Sequence, residues 1–306
     1  FFMKYRYPAM LHTMPKNLVI FGGFAIGLIL MVSIYGVLHA RRVYVRQDPV
    51  VIEKSSSLPG LKIALIADLH LGYNSTKSHV RKIADTINSQ NVDLVCIAGD
   101  LFDNDYDAIK DPDKVADILS GIKSRYGTYA CWGNHDVSEK ILAGFTFPQK
   151  ETIVRDGRFT EFLHHAGITM LEDETVCIDN AFYLVGRRDK DMAKKEQLPR
   201  KTFAEITEPL DPSLPIIVMD HQPGELSEAS DAGVDLDLSG HTHDGQMFPA
   251  NLVVHFLWEN ACGVLKKGAM TSIVTSGAGV WGPAMRVGTN NEVVIANVSF
   301  DPATDQ

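Results

Sequence analysis

An α/β layered domain behind an N-terminal membrane-anchoring segment is the fold class that the sequence predicts, and three observations carry it. From residue 61 onwards, short apolar runs of strand length alternate with stretches of helical periodicity, the pattern of a layered α/β sheet. Those runs stop at small polar clusters rich in Asp, Asn and His, and ligands of α/β sheets gather beyond the carboxyl ends of the strands. Upstream, Leu18 to Leu38 contains no charged residue and has about the 20 residues that a bilayer span requires.

The elements follow in order. The sequence opens on phenylalanine, which reads as a start inside a longer chain. Residues 1–40 form the anchoring segment, with a transmembrane helix predicted at about 18–38. His39-Ala40-Arg41-Arg42 is a poor cleavage site, so the span is expected to be retained. Lys4, Arg6 and Lys16 flank one end and Arg41, Arg42 and Arg46 the other, so charge does not orient it. Residues 41–60, ending in Ser55-Ser56-Ser57-Leu58-Pro59-Gly60, read as a linker. The soluble domain is predicted over residues 61–300, with 301–306 as a tail.

Leu61 to Ala67 reads as a buried strand ending in Asp68-Leu69-His70. Val80, Ile83 and Ile87 follow at helical spacing. A second strand, Asp93 to Ala98, ends in Gly99-Asp100, and Val115, Ile118, Leu119 and Ile122 mark another amphipathic helix. A third strand, Thr128 to Trp132, ends in Gly133-Asn134-His135-Asp136. Phe159 to His165 is predicted helical, and Ile168–Ile178 and Ala181–Val185 pair around Asp179-Asn180. Leu214 to Met219 is a buried strand ending in Asp220-His221-Gln222-Pro223. Apolar and acidic residues alternate from Asp235 to Leu238, and that strand releases His241 and His243. If the segment stays extended, residues two apart point to one side, so both imidazoles share a face. Asn251 to Trp258 is apolar and reads as core packing rather than a lipid-facing cap. Strand-like runs at Thr271–Thr275 and Glu292–Val298 close the domain.

Composition narrows the function. The chain has 306 residues, a formal charge of −9 and a pI of about 5.6. That argues against nucleic-acid binding, since phosphate backbones call for a basic surface. A phosphate-bearing substrate stays open, because metal ions supply local positive charge. Cys96, Cys131, Cys177 and Cys262 follow no zinc or disulfide spacing and read as free thiols.

Five strand ends thus carry Asp68 and His70, Asp100, Asn134 and His135, His221, and His241 and His243. Mixed oxygen and imidazole donors suit manganese, iron or zinc better than calcium or magnesium. The absence of thiolates in the set argues against a structural zinc site. Two other classes compete: a non-catalytic membrane scaffold, and a metal-dependent amidohydrolase. A degenerate scaffold is expected to have lost ligands, and an amidohydrolase does not explain Asn134 followed by His135.

The ordered series Asp68-Leu69-His70, Gly99-Asp100-Leu101-Phe102-Asp103, Gly133-Asn134-His135-Asp136, His221 and Gly240-His241-Thr242-His243 resembles the calcineurin-like metallophosphoesterase superfamily. Each motif alone is weak; five in this order are specific. His241 to Gln246, Ser276 to Pro283 and Arg286 resemble its membrane-anchored bacterial branch, with Asp244 where many relatives have Gly.

The resemblance implies a four-layer α/β/β/α sandwich with two mixed sheets, and two divalent metals, with manganese first and iron or zinc as alternatives. It implies one metal held by Asp68, His70 and His243, another by Asn134, His221 and His241, and Asp100 bridging them. Hydrolysis of a phosphodiester or pyrophosphate bond by a hydroxide shared between the ions follows from the same likeness. His135 is then expected to face the leaving oxygen, with Asp103 keeping it protonated and Asp136 as a second candidate partner. Arg286 is expected to contact a substrate phosphate. The expected partners are a phosphoester substrate, a lipid-linked one included, and the membrane itself.

Overall fold

The computed structural model describes residues 16–139, 141–142, 145–146 and 155–301. Lys4 and Arg6 of the anchoring segment and residues 302–306 of the tail lie outside the described residues.

The apolar stretch forms a single helix, α1 (Lys16–His39), long and apolar enough to cross a membrane. It is exposed on all sides except at Gly36, the one residue of the helix that is buried. Two six-stranded sheets follow. The first holds β1 (Tyr44–Ser55), β2 (Leu61–Ile66), β3 (Leu94–Ala98), β4 (Thr128–Cys131), β7 (Ile168–Met170) and β14 (Glu292–Asp301), in the order β1-β14-β2-β3-β4-β7. The second holds β8 (Glu174–Ile178), β9 (Phe182–Gly186), β10 (Ile216–Met219), β11 (Leu236–Ser239), β12 (Gly263–Lys267) and β13 (Met270–Val274), in the order β12-β13-β11-β10-β9-β8. Two-residue strands β5 (Ile141–Leu142) and β6 (Phe145–Thr146) pair as a separate hairpin. Both large sheets are mixed: β14 runs antiparallel to β2, and β12 antiparallel to β13, beside parallel neighbours.

Side-chain alternation makes four layers of these sheets. Along β2, Ile63 and Leu65 point between the sheets, where they meet Leu184, Ile217, Met219 and Leu238. Ala64 and Ile66 point the other way, onto α2 (Lys77–Ser89), α3 (Pro112–Ser120) and α4 (Gly157–His165). α2 buries Val80, Ile83, Ala84 and Ile87, spaced three and four residues apart as one helical face requires. The outer face of the second sheet is covered by α6 (Phe203–Thr207) and α7 (Leu226–Asp231) through Phe203, Ile206, Leu226 and Ala229. A short helix, α5 (Lys190–Glu196), follows β9. The predicted α/β/β/α sandwich with two mixed sheets is therefore the fold.

Two expectations are corrected. Residues 41–60 are not a linker: Tyr44–Ser55 is strand β1, paired in parallel with β14 from Tyr44↔Glu292 to Ile52↔Phe300. Asp48, Val50 and Ile52 are buried and their neighbours exposed, a half-buried edge strand whose Pro49 is tolerated because an edge leaves its nitrogen unpaired. Nor is Asn251 to Trp258 core packing. It forms most of α8 (Ala250–Leu257), which buries none of its residues; Phe256 is 91% exposed and Leu257 71%.

β1 begins five residues after α1 ends, so the span runs almost directly into the sheet. The Arg286 N–H donates to the Gly36 carbonyl at 3.0 Å, and Asn291 Nδ2 donates to the Ala40 carbonyl at 2.5 Å. His39 Nε2 lies 3.1 Å from the Thr289 carbonyl. A Cβ at Gly36 would come within 2.9 Å of Met285 Cε, so glycine permits this close approach.

Candidate metal centre

The polar clusters at the ends of β2, β3, β4, β10 and β11 meet at one place. Among the described residues three groups of ligand atoms form there: His70, Asp103 and His135 make one that shares His70, and the other two hold the expected ligands. Asp68, His70 and His243 make one and Asp100, His221 and His241 the other, with the atoms of each within 4.8 Å of one another. Asn134 completes the second group, its Oδ1 lying 2.9 Å from His241 Nδ1 and 3.1 Å from His221 Nε2. Asp100 Oδ2 lies 3.2 Å from His221 Nε2 and 3.8 Å from His70 Nε2, so one oxygen faces both groups. The seven residues expected as ligands are thus brought together.

The backbone is strained to do this. Asp68, His70, Asp100, His241 and His243 all have positive φ, between 43° and 71°, a region that non-glycine residues occupy at a cost and mostly at functional sites. His241 and His243 therefore do not share a face of an extended segment. The chain turns between them, His243 opens a 3-10 turn, and each imidazole serves a different group. Glycine is required where the loops touch: a Cβ at Gly133 would run into the Asp100 carboxylate, and one at Gly240 would lie 2.8 Å from Asp68 Oδ2.

The donor set fits divalent cations. His221 Nδ1 lies 2.8 Å from the Ala98 carbonyl, which can only accept, so Nδ1 carries a proton and Nε2 faces the site; burial opposes a second proton there, but Asp100 outweighs it, so proton and cation compete for Nε2. His70 Nε2 and His243 Nε2 face each other at 3.0 Å, and His243 Nε2 is 3.8 Å from Asp68 Oδ1. Lone pairs on nitrogen and oxygen converge at distances that call for positive charge between them. Ligands bound at about 2.0–2.2 Å to one ion stand roughly 3–3.5 Å apart. Burial, with His221 as a like charge, lowers His241 to about 3, and burial with His70 and Arg286 puts His243 well below its ordinary value. Both rings are therefore neutral at pH 7 and free to ligate. Burial opposes ionisation of Asp100, but the charge and hydrogen bond of His221 outweigh it and hold the carboxyl well below its usual range.

The structure reassigns the residues around the ligands. His135 stands beside both groups, its N–H on Asp100 Oδ1 at 2.8 Å and its ring edge-on to His70 at 5.1 Å between centroids. Its ring partner is not Asp103 but Asn104, whose Oδ1 lies 2.5 Å from His135 Nδ1. Asp103 Oδ1 instead faces His70 Nδ1 at 3.4 Å, near it but without a hydrogen bond between them. Asp136 is not a partner of His135 either. It accepts the Phe102 N–H at 2.8 Å and the Gly133 N–H at 2.7 Å, tying two ligand loops together. Among the described residues no carboxylate bonds its ring, and His135 is not held protonated: burial lowers it to about 4 despite Asp100.

Arg286 is fully buried; Nη1 donates to the His243 carbonyl at 3.0 Å and Thr289 Oγ1 at 3.3 Å, Nη2 to the Ser276 carbonyl at 2.6 Å and the Gly279 carbonyl at 2.8 Å, and Nε has no partner among the described residues. The expected phosphate contact is therefore not the one it makes; it braces the loop that carries His243. Sequence reasoning missed Asn104, hidden in the acidic run Asp103-Asn104-Asp105-Tyr106-Asp107. Trp258, read with its apolar run as core packing, instead meets the His241 ring edge-on at 5.3 Å. A polar residue directly after the Asp100 loop was the available signal for Asn104.

A four-layer sandwich with histidine, aspartate and asparagine ligands at its strand ends defines a metal-dependent hydrolytic centre. The family model for calcineurin-like phosphoesterases matches residues 61–245, and the chain belongs to that family. It is 32% identical over 251 residues to an uncharacterised metallophosphoesterase of Helicobacter pylori, covering 81% of this chain and 62% of that one. A transmembrane protein with metallophosphoesterase domain from Danio rerio is 27% identical over 285 residues, 86% of this chain and 59% of its own. The UDP-2,3-diacylglucosamine pyrophosphatase LpxG of Chlamydia muridarum is 25% identical over 228 residues, 64% and 67% of the two chains. Among solved structures, TT1561 of Thermus thermophilus superposes with a TM-score of 0.38 at 9% identity, over 70% of this chain and 88% of that one. The chain spans about three fifths of the length of the Helicobacter and Danio relatives.

Proposed function

We propose that this chain is a membrane-anchored, two-metal phosphoesterase that hydrolyses phosphodiester or pyrophosphate bonds of a lipid-linked substrate. The observation that carries the reading is the pair of ligand groups sharing Asp100 Oδ2. Bound divalent cations, manganese by the donor chemistry, would neutralise the phosphoryl oxygens and lower the pKa of water. Asp68, His70 and His243 would hold one ion, Asn134, His221 and His241 the other, and Asp100 both. Asp103 faces the ring of His70 at 3.4 Å, and the Ala98 carbonyl fixes that of His221.

His135 acts on the leaving group in this reading. Its ring is neutral in the free protein, and the negative charge of an arriving phosphoester favours the imidazolium. With Nδ1–H on Asn104, Nε2 is left to take a proton from water as the substrate binds and to give it to the leaving oxygen.

The lipid-linked part rests on three supports. α1 is bonded to the catalytic domain rather than tethered to it, so the site stays near the bilayer. α8 exposes Leu252, Val253, Phe256 and Leu257, and the Trp258 that follows it touches His241. The Chlamydia relative is named for a diacylated substrate. The test compares matched phosphodiesters with and without acyl chains in mixed micelles with manganese. A higher kcat/KM for the acylated member, lost in Phe256→Ser/Leu257→Ser, is expected. No gain from acyl chains refutes the lipid part, and no manganese-dependent hydrolysis of either refutes the whole.

A further inference from the structure

A second concave site lies between the carboxyl end of α1 and the metal face. It is a cavity of about 440 Å³, in which Ala40 and Arg41 from the end of the span face Lys82 and His79 of α2. Val280 and Asn291 close it from the far side, and Leu69 and the ligand His70 back it from the first ligand loop, so it adjoins the metal centre. The volume is in the range of small-ligand sites.

Its chemistry is that of an anion site. No carboxylate lines it among the described residues, although the chain carries a net charge of −9. It has two cations. The Arg41 guanidinium has no hydrogen-bond or ion-pair partner among the described residues, and Lys82 Nζ spends one of its three donors on the Arg41 carbonyl at 2.7 Å. Burial lowers His79, and its Nε2 is on the Ala278 carbonyl at 2.7 Å, so it adds no charge. The amino end of α2, capped by Thr76, adds the positive end of a helix dipole. An independent sign of a ligand is Asn291. It is 1% exposed, its Nδ2 is on the Ala40 carbonyl, and its Oδ1 is buried with no partner among the described residues. An amide oxygen in that state calls for a hydroxyl or water donor.

The height of the cavity selects the anion. Arg41 follows the last apolar residue of the span, Leu38, by three positions, the level at which lipid headgroups sit. Val37, Ala40, Val280 and Ala284 give the cavity an apolar flank beside its cations. We propose that this cavity binds the phosphate headgroup of an anionic membrane phospholipid, with the glycerol hydroxyls at Asn291 and the phosphate between Arg41 and Lys82. The inference rests on the membrane anchoring proposed above but not on the identity of the substrate.

The test is native mass spectrometry of the full chain in a neutral detergent. The probes are dioleoyl phosphatidylglycerol, dioleoyl phosphatidylcholine and inorganic phosphate. One phosphatidylglycerol per chain is expected to survive activation that strips phosphatidylcholine. Arg41→Glu and Lys82→Glu should each weaken it by about tenfold or more, while Lys110→Glu, the same charge change elsewhere, should not. Val280→Trp should exclude the lipid by filling the cavity without altering charge; unchanged metal content in each variant reports an intact fold. Equal binding of the two lipids, equal loss in Lys110→Glu, or retention in both Arg41→Glu and Val280→Trp overturns the proposal. Displacement of the lipid by equimolar inorganic phosphate overturns the lipid as the source. A wild-type chain that hydrolyses diesters but retains no phosphatidylglycerol refutes this inference alone. One that retains the lipid but hydrolyses nothing refutes the proposed function alone.

Discussion

Asn104→Ala separates the role of His135 from that of the metal ligands. Asn104 Oδ1 lies 2.5 Å from His135 Nδ1, and its Nδ2 donates to Glu139 Oε2 at 3.1 Å, which fixes which end of the amide faces the histidine. No ligand atom is removed by the substitution. If His135 becomes an imidazolium during turnover, the lost hydrogen bond is one to a charged group, about 1.5–3 kcal/mol. That converts to a fall in kcat of roughly 10- to 100-fold. Asn104 also sits at φ 60°, where alanine costs about 1–2 kcal/mol of stability, so thermal unfolding of the variant is measured alongside. The assay is manganese-dependent hydrolysis of two aryl phosphodiesters, one with a nitrophenol and one with a phenol leaving group. The phenol ester should suffer the larger loss, because a poor leaving group depends on the proton. An equal loss for both esters at unchanged metal content refutes leaving-group protonation through His135, and a loss of metal refutes the assignment of Asn104 to His135.

Three further outcomes are expected. His135→Ala should keep both metals by elemental analysis while losing turnover, again most for the poor leaving group; loss of metal would make His135 a ligand. Asp237 is buried with Ser272 Oγ 2.9 Å away, and burial, then Asp220, pushes its carboxyl up to about 7. The folded state therefore holds this proton more tightly than the unfolded chain, and its contribution to stability falls as pH rises from about 4 to 7. Asp237→Asn should raise the unfolding free energy more at pH 8 than at pH 5, by an amount on the order of a few kcal/mol; an equal change at both pH values contradicts the shift. Gly36→Leu should force α1 off Met285 and Val287 at a cost of about 1–3 kcal/mol. Faster proteolysis at Arg41 and Arg42 would report it, and an unchanged cleavage rate would mean that the contact does not hold α1 to the domain.

The ligand set was legible because each member follows a strand that announces itself. Runs such as Leu61–Ala67 and Leu214–Met219 are too apolar and too short for anything but buried strands, so the polar residue after each falls at a strand end. What was not legible depends on partners distant in the chain. β1 is a strand only because β14, nearly 250 residues on, offers an edge, and its Pro49 and charges look locally like a linker. Arg286 carries no sign that three carbonyls will enclose it. Asp103 and Asn104 are adjacent, and only the turn at Asn104 decides which of them meets His135. α8 has the composition of a core helix but none of its residues is buried, and it leads into the Trp258 that touches His241.

The centre itself is tested by counting metal. Full-length chain loaded with manganese and freed of excess ion should carry two ions per chain by elemental analysis, and Asp100→Ala should carry none, because one oxygen faces both ligand groups. A variant that keeps one ion, or a wild-type chain that never binds more than one, would contradict the bridged pair.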